Sequence, residues 1–500
     1  MKLARIIALI CAAAAASQLL ACADESNKQD ETTAQTQVNE DTDADTGSDG
    51  DMLSERQKVK DNLGEYDFDS QIVNIAVNTF CEEGFICDEM TGDILSDAIY
   101  ERNKSVEERF NVKLNYVSKD YTETYKDIVN SVSAGDDEFQ IVAEHAIYAG
   151  QLVTGGLVMN WYDIPNVDFS MPWWSPSNVD DLTYDGVCLL AIGDFALTTI
   201  GRTYCMAYDK VAAETYKLPD MYELVYSCGW TFDKLSEFIK NTYSDLNRDN
   251  AADVNDYYGF STSTASKIDT FMWAFDNPIF EKNSAGELEM VINTEKITSI
   301  IERLMSFCWD NPDVFYDPEY MKDSNDRHYI SEEKFADGTT LFASIMLESG
   351  IKYFRDCEND YGIIPYPKWD ENQDDYITMV DGGFSALAIP KTVQDTELVG
   401  TVIEALCAET YRSVVPVYYE TALKEKGTRD EESKAMIDFV VQKRMFDFGY
   451  VFDGWKGYGF ILEKMIKDRN LNFASEYAST QSAVADYYDS VLECFAAEAE

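Results

Sequence analysis

The chain has 500 residues, of which 92 are acidic and 40 basic, giving a formal net charge of −52. A surface this acidic repels nucleic acid and anionic lipid headgroups, so it argues against a nucleic-acid partner and favours neutral or cationic ligands. Only two histidines are present, which argues against a histidine-rich zinc site. The 45% hydrophobic content allows a large core, with room for two or three domains.

Residues 1–21 have the pattern of a secretory signal. Lys2 and Arg5 give a positive start, and residues 6–20 form an apolar segment shorter than the ~20 residues of a membrane span. The segment LLAC, ending at Cys22, resembles a bacterial lipobox. This resemblance implies that Cys22 becomes a lipid-bearing N-terminus, and two or more acyl chains anchor a protein stably. We expect an exported lipoprotein at the outer face of the cell membrane, with a plain cleaved signal as the alternative.

Residues 22–60 are predicted to form the lipidated cysteine and a disordered acidic tether. Residues 24–51 contain ten acids, one lysine and no aromatic residue. Such a segment buries too little apolar surface to offset the entropy of ordering, and its like charges extend it. We expect it to hold a folded body away from the membrane.

The body begins with alternating strand and helix patterns. Apolar spacing predicts strands at 71–77, 112–117 and 139–143, separated by helices at 93–110 and 122–135. Thr91 is a candidate cap of the first helix, and Gly135 is a natural stop for the second. The β-α-β-α-β order implies a parallel sheet with right-handed crossovers.

Further elements follow along the chain. The sequence predicts strands at 203–210 and 384–390 and amphipathic helices at 231–243, 395–413 and 430–444. Thr231 stands where a side chain would cap the first of these helices.

The order of these segments resembles the extracellular solute-binding proteins of bacterial ABC importers, in the class that binds carbohydrates. The resemblance covers most of the body. It rests on the segments SAGDDEFQIV (133–142), CMAYDK (205–210), GWTFDKLSEFIK (229–240), YGIIPYPKWDENQDDY (361–376), DGGFSALAIP (381–390) and ALCAETYRSVVPVYYETALK (405–424).

The resemblance implies an α/β, two-lobed periplasmic binding protein type II fold. Each lobe is expected to be a mostly parallel sheet flanked by helices, and hinge strands join the lobes. We expect residues 61–204 with 361–435 in lobe 1, and 205–360 with 436–500 in lobe 2. Such a monomer captures a sugar or oligosaccharide between its lobes without catalysis and delivers it to a membrane permease.

Candidate ligand-binding residues follow from segment order and chemistry. Aromatic rings stack on apolar sugar faces, whereas carboxylates and guanidinium groups bind hydroxyls. Glu144 follows the third strand, at the carboxyl edge where open α/β sheets bind ligands. Asp381 and Gly382 lie at the expected hinge return, where glycine permits close backbone approach. The other candidates are Trp273, after a Ser/Thr-rich turn, and Arg412, Tyr418 and Tyr419, past a helix end.

The segment DLNRDNAADVND (245–256) has the spacing of an EF-hand-like calcium loop. The candidate ligands are Asp245, Asn247, Asp249, the Ala251 carbonyl, Asp253 and Asp256, because calcium binds six to eight hard oxygens. Asn250 replaces the usual turn glycine, and Asp256 replaces the long bidentate glutamate. The alternatives are a structural calcium site and a solvated acidic loop; no cofactor is required for function.

Two other function classes stay open on the sequence alone. A surface-anchored glycoside hydrolase needs two carboxylates at a fixed separation, which this acidic composition allows. The chain, however, lacks the eight alternating strand–helix units of a barrel of that class. A receptor for peptides or other small polar solutes would use the same two-lobed architecture.

Overall fold

The computed structural model describes residues 55–264, 266–320, 329–354, 357–423 and 431–499. The predicted signal, the predicted lipidation site at Cys22 and most of the predicted acidic tether lie outside the described residues. Within the described residues, no helix combines the length and apolar character needed to cross a membrane.

The strands include two main sheets and three short pairs. In chain order the strands are β1 (Gln71–Asn78), β2 (Val112–Lys119), β3 (Ile141–His145), β4 (Thr183–Tyr184), β5 (Val187–Cys188), β6 (Tyr204–Asp209), β7 (Tyr258–Thr262), β8 (Phe280–Lys282), β9 (Leu288–Met290), β10 (Val314–Tyr316), β11 (Thr340–Met346), β12 (Tyr361–Ile364), β13 (Thr378–Met379), β14 (Ser385–Ala388) and β15 (Arg444–Met445).

Helices pack against both main sheets. The α-helices are α1 (Ile94–Phe110), α2 (Tyr121–Ala134), α3 (Ala146–Thr154), α4 (Pro176–Asp181), α5 (Thr198–Gly201), α6 (Lys210–Tyr216), α7 (Met221–Tyr226), α8 (Phe232–Phe238), α9 (Ser266–Ala274), α10 (Glu295–Trp309), α11 (Asp317–Tyr320), α12 (Ile330–Ala336), α13 (Ser349–Lys352), α14 (Thr396–Glu409), α15 (Val415–Leu423), α16 (Glu431–Gln442), α17 (Phe448–Val451), α18 (Ile461–Lys467) and α19 (Phe473–Ala499). Short 3-10 turns lie at Glu82–Gly84, Trp161–Asp163 and Pro172–Trp174, and a π-helical turn, Thr410–Val414, joins α14 to α15.

The first sheet has the strand order β14-β3-β1-β2. Strand β1 pairs in parallel with β2 and β3, whereas β14 runs antiparallel to β3. The predicted β-α-β-α-β unit is therefore confirmed. Gly135 ends α2 in the left-handed conformation, as expected, but the cap of α1 is Asp93 and not Thr91, because the Asp93 carboxylate reaches the backbone N–H of Ser96.

The second sheet has the order β10-β7-β11-β6-β12. Strand β7 pairs in parallel with β10 and β11, and β6 runs antiparallel to both β11 and β12. The predicted lobe limits stay predictions. They placed β12 in lobe 1 and the C-terminal helix in lobe 2. Strand β12 (Tyr361–Ile364) lies in the second sheet, and α19 packs against α3 and β5, next to the first sheet.

Two chain segments connect the sheets and run side by side. Thr203, just before β6, forms an antiparallel bridge with Val380, just after β13. The backbone N–H of Asp381 donates to the Arg202 carbonyl at 2.9 Å, and the N–H of Leu347 donates to the Thr203 carbonyl at 3.0 Å. Short strands β13 and β15 add a third segment at the same place. These paired segments, here called the crossing segments (198–204, 378–385 and 443–447), have the position expected of a hinge.

Candidate ligand-binding site

An aromatic cluster lies where the parallel strands of the first sheet end. Phe80 follows β1, Tyr121 follows β2 and His145 ends β3, so the three rings meet at one edge of the sheet. Their centroids lie 5.5–6.1 Å apart, and Tyr148 on α3 adds a fourth ring 5.1 Å from Tyr121. All four side chains are only partly buried. Their accessible ring surface is suited to contact with a ligand at this edge.

Glu144 lies beside this cluster and is fully buried. Burial raises the pKa of its carboxyl to about 8, so the group is protonated at neutral pH. One oxygen accepts from the N–H of His145 at 2.7 Å, and the other has no partner among the described residues. Burial also lowers the pKa of His145 to about 4, which keeps the imidazole neutral. The edge therefore carries a neutral acid that can both donate and accept hydrogen bonds.

An ion pair between Arg202 and Asp381 spans the crossing segments. The guanidinium and the carboxylate are 3.2 Å apart, and both side chains are less than one-fifth exposed. Asp381 also accepts from the Tyr204 hydroxyl at 2.8 Å and from the Gly383 N–H at 2.9 Å. Burial opposes ionisation, but Arg202 and these two donors hold the pKa of Asp381 below its ordinary value. Arg202 also lies over the Phe80 ring at 4.7 Å, which joins the ion pair to the aromatic cluster.

Tyr450 ties the crossing segment to the second-sheet side. Its hydroxyl accepts from the Gly382 N–H at 2.9 Å and lies 3.3 Å from the Ser266 hydroxyl at the start of α9. From Tyr450, rings lead outward through Phe460, at 5.4 Å, to Trp455, which stacks on Phe460 at 5.0 Å. Trp455 is 56% exposed, which makes it an accessible aromatic ring that Phe460 separates from Tyr450.

The second sheet contributes rings and charges to the same region. Tyr329 stacks on Tyr353 at 5.0 Å, and both rings are partly exposed. Tyr329 interacts electrostatically with Glu348, Arg202 and Asp381, which places this pair close to the ion pair. Burial and these acidic neighbours raise the pKa of Tyr329, so its hydroxyl stays protonated. Rings from the edge of the first sheet and from helix ends beside the second sheet therefore lie near one buried Arg–Asp pair.

A cavity of about 120 Å³ adjoins this group. Its lining includes Phe80 and Leu95 from the first-sheet side and Glu348 and Ile351 from the second-sheet side. One Glu348 oxygen is buried with no partner among the described residues. The chain thus encloses a space between the two sheets, with a carboxylate oxygen open to a hydrogen bond.

The structure brings together only some of the residues proposed from the sequence. Glu144, Asp381 and Gly382 converge at the crossing segments. Trp273 does not line the space, because its ring is 1% exposed, its N–H donates to Asp447 at 2.8 Å, and it packs on Tyr450. Its contact with the site is through Tyr450.

Arg412, Tyr418 and Tyr419 separate from one another. Arg412 binds Asp61 at 3.2 Å and Glu409 at 2.6 Å, which commits it to ion pairs near the N-terminus of the body. Tyr418 lines the 120 Å³ cavity, and Tyr419 lines a different cavity described below.

The predicted calcium loop is well connected by its own hydrogen bonds. Backbone N–H groups donate to Asp245, and the Asn247 amide donates to the carboxylates of Asp249 and Asp253. Asp256 is fully buried and accepts from the Tyr243 hydroxyl and from the backbone. The Ala251 N–H donates to Asp249. Among the described residues, no group of three or more His, Cys, Asp or Glu side chains is arranged to hold a metal ion. Calcium stays a prediction.

Sequence reasoning missed most of the rings and charges of this site. The missed residues are Phe80, Tyr121, Tyr148, Arg202, Tyr204, Tyr329, Glu348, Tyr353, Tyr450 and Trp455. Position after a strand was an available signal for Phe80, Tyr121 and Glu348, because carboxyl ends of strands line ligand crevices in open sheets. No local pattern marks Tyr329 or Tyr450.

Comparison with known proteins identifies the family. A family model described as bacterial extracellular solute-binding protein matches residues 101–408, which is more than half of the chain. The chain belongs to this family. The resemblance drawn from the segment order is thereby confirmed, and membership implies an exported protein. A comparison with curated protein sequences found no match.

Solved structures show the same two-lobed fold. UgpB from Mycobacterium tuberculosis, in complex with glycerophosphocholine, is 15% identical with a TM-score of 0.55, covering 84% of this chain and 99% of its own. A cyclo/maltodextrin-binding protein complexed with maltotetraose is 13% identical with a TM-score of 0.52, covering 86% and 98%. At these identities the likeness establishes the fold.

Proposed function

We propose that this solute-binding protein captures an extracellular carbohydrate in the space between its two sheets and delivers it, unaltered, to the permease of an ABC importer. The observation that carries the proposal is the set of partly exposed rings near the Arg202–Asp381 pair. Sugars present apolar faces that stack on rings and hydroxyls that bind charged and neutral polar groups, and this site offers both.

The polar groups match a neutral hydroxylated ligand. Arg202 and Asp381 neutralise each other, and the protonated Glu144 adds a group that can donate and accept. A closed interlobe space excludes water, so a small number of hydrogen bonds gives useful affinity. Closure also changes the shape of the molecule, so a permease can distinguish the closed conformation from the open one. One of the solved structures named above is in complex with maltotetraose.

Titration with a panel of oligosaccharides tests the proposal. Isothermal titration is run on the wild type, on Trp455→Ala and on Tyr162→Ala, a control that removes another exposed ring. A stacked ring contributes about 1–1.5 kcal/mol, so Trp455→Ala should weaken binding about tenfold, while Tyr162→Ala should bind as the wild type does. If the wild type binds no oligosaccharide but binds peptides, the carbohydrate proposal fails and the peptide-receptor alternative takes its place.

Binding without turnover is part of the same proposal. Bound oligosaccharides recovered after long incubation should be of unchanged length. Release of new reducing ends would overturn it in favour of a glycoside hydrolase.

We also propose that Cys22 carries the lipid that anchors the monomer to the outer face of the membrane. The basis is the LLAC segment after an apolar stretch, followed by an acidic segment of low hydrophobicity. Radiolabelled palmitate should label the wild type expressed in a bacterium and should not label Cys22→Ser. Equal labelling of the two forms would refute the anchor.

A further inference from the structure

A second cavity lies on the other side of the first crossing segment. Its volume is about 300 Å³, and its polar lining consists mainly of Arg56, Asp194, Tyr411, Tyr419, Asp438 and Arg444. Ile200 lines this cavity, whereas its neighbour Gly201 lines the cavity beside Phe80. The backbone of the crossing segment thus separates the two spaces.

Asp194 differs from Asp438, the other acidic residue of this cavity, which accepts a hydrogen bond from Arg56. Its side chain lies in a residue that is only 6% exposed, and burial raises the pKa of the carboxyl to about 6. Among the described residues, no donor makes a hydrogen bond to this carboxylate. The carboxylate oxygens are open to the cavity, so they can accept hydrogen bonds from a molecule that occupies it.

Two arginines flank Asp194 without binding it. Arg444 donates to the carbonyls of Thr199, at 2.7 Å, and Val441, at 2.8 Å, and to the Ser175 hydroxyl. Arg56 pairs with Asp438 at 3.1 Å and lies over the Tyr411 ring at 4.7 Å. Both guanidinium groups interact electrostatically with Asp194, so the three charges face one space.

The charges that line the cavity indicate whether its ligand is anionic, cationic or neutral. The two arginines and two aspartates sum to zero formal charge when ionised. An anion would meet the bare Asp194 carboxylate, and a cation would meet two guanidinium groups. A neutral molecule with both donors and acceptors satisfies every group. A volume of about 300 Å³ is many times that needed for one water, and it is enough for a molecule of monosaccharide size.

We propose that this cavity binds a small neutral polyhydroxylated molecule, with hydroxyls donating to Asp194 and oxygens accepting from Arg444. The site is separate from the space between the sheets. The cavity is linked to the crossing segments by two hydrogen bonds. Arg444 donates to the Thr199 carbonyl, and the neighbouring Thr198 hydroxyl accepts from the Ser385 N–H at 2.9 Å. An occupant would therefore stiffen the junction between the sheets.

Titration of the purified full chain with D-xylose, D-glucose and myo-inositol tests the site. Glycine and inorganic phosphate serve as the zwitterionic and anionic comparisons. At least one neutral probe should bind to the wild type and to Trp455→Ala within twofold, because Trp455 does not line this cavity. Asp194→Asn should weaken that binding at least tenfold. Gln442→Leu, which places an apolar side chain at the cavity wall, should weaken it as well.

The outcomes separate this site from the proposed function. Loss of binding in Trp455→Ala but not in Asp194→Asn would place the probe between the sheets and overturn the inference. Binding of glycine or phosphate in preference to every neutral probe would overturn the ligand class, and absence of any binding at 50 mM would overturn the site. Far-ultraviolet circular dichroism shows whether each variant is folded. If Asp194→Asn does not fold, the effect of Gln442→Leu on probe binding tests the site.

Discussion

The protonated state of Glu144 makes the stability of the protein depend on pH in a defined direction. In the folded chain the pKa of this carboxyl is about 8, against an ordinary value of 4.5. Between these two pH values the unfolded chain releases a proton that the folded chain retains. Rising pH therefore favours the unfolded state over this interval. Glu144→Gln removes the titration while its amide oxygen can still accept from the His145 N–H, so we expect the variant to be more stable at neutral pH.

The size of the effect follows from the same two pKa values. Each pH unit between them costs about 1.36 kcal/mol, so at pH 7 the wild type is destabilised by about 3 kcal/mol relative to a group that does not ionise. Other buried acids titrate as well, including Asp181, Asp194 and Glu404. Their contributions are common to both proteins and cancel in the difference between Glu144→Gln and the wild type.

Urea denaturation at half-unit steps from pH 4.5 to 7.5 measures this difference. The free energy of unfolding of Glu144→Gln minus that of the wild type should rise steadily with pH and approach about 3 kcal/mol at pH 7. Glu123→Gln, on the exposed first turn of α2, is the matched control, and its difference should show no comparable rise with pH. A difference for Glu144→Gln that does not change with pH would refute the reasoning that burial keeps this carboxyl protonated.

Three further changes have expected outcomes. Asp381→Asn removes the counter-charge of Arg202 and should lower the free energy of unfolding by about 1.5–3 kcal/mol in urea titrations. Gly400→Ala should destabilise the protein by at least ~2 kcal/mol in the same assay, because the added Cβ would lie 1.8 Å from the Pro165 carbonyl oxygen. If the loop at 245–256 binds calcium, millimolar Ca²⁺ should raise the melting temperature of the wild type, and Asp249→Ala should abolish that rise.

Each of these changes has a control and a contrary result. Glu348→Gln alters the other carboxylate near Arg202 and should lower the free energy of unfolding less than Asp381→Asn does. The reverse order would mean that Glu348, and not Asp381, is the main counter-charge of Arg202. Gly84→Ala, where the nearest atom would be 3.6 Å away, should be tolerated, and equal losses for the two glycine variants would contradict the steric argument. Magnesium at the same concentration controls for ionic strength, and an equal rise with both ions would reject a calcium site.

Local sequence patterns were sufficient for the elements that depend on local chemistry. The strands at β1, β2 and β3 and the helices α1, α2, α14 and α16 were predicted to within a few residues, since alternation, helical periodicity and a stop glycine are properties of neighbouring positions. The helix predicted at 231–243 is capped by Thr231 as expected but ends at Phe238. The helix predicted through residue 413 changes to a π-helical turn after Glu409, which periodicity of apolar residues does not reveal.

The site was harder to predict because its partners are distant in sequence. Trp273 follows a polar turn, as a ligand-facing ring would, yet Asp447 draws its N–H inward from 174 positions away. Arg412 has the chemistry of a ligand-binding residue but is bound by Asp61, 351 positions earlier. Asp381 was identified because a Gly-Gly pair at an expected hinge return is itself a local signal.

The crossing segments also set the order in which the protein can acquire its binding competence during export. Arg202 and Asp381 are 179 positions apart, and Tyr450 must be present before Gly382 and Ser266 are tied together. A chain emerging from its N-terminus can form the first β-α-β-α-β unit early, but loop closure over such distances is slow and comes late. Nascent molecules halted short of residue 450 should therefore fold their first sheet while remaining unable to retain solute.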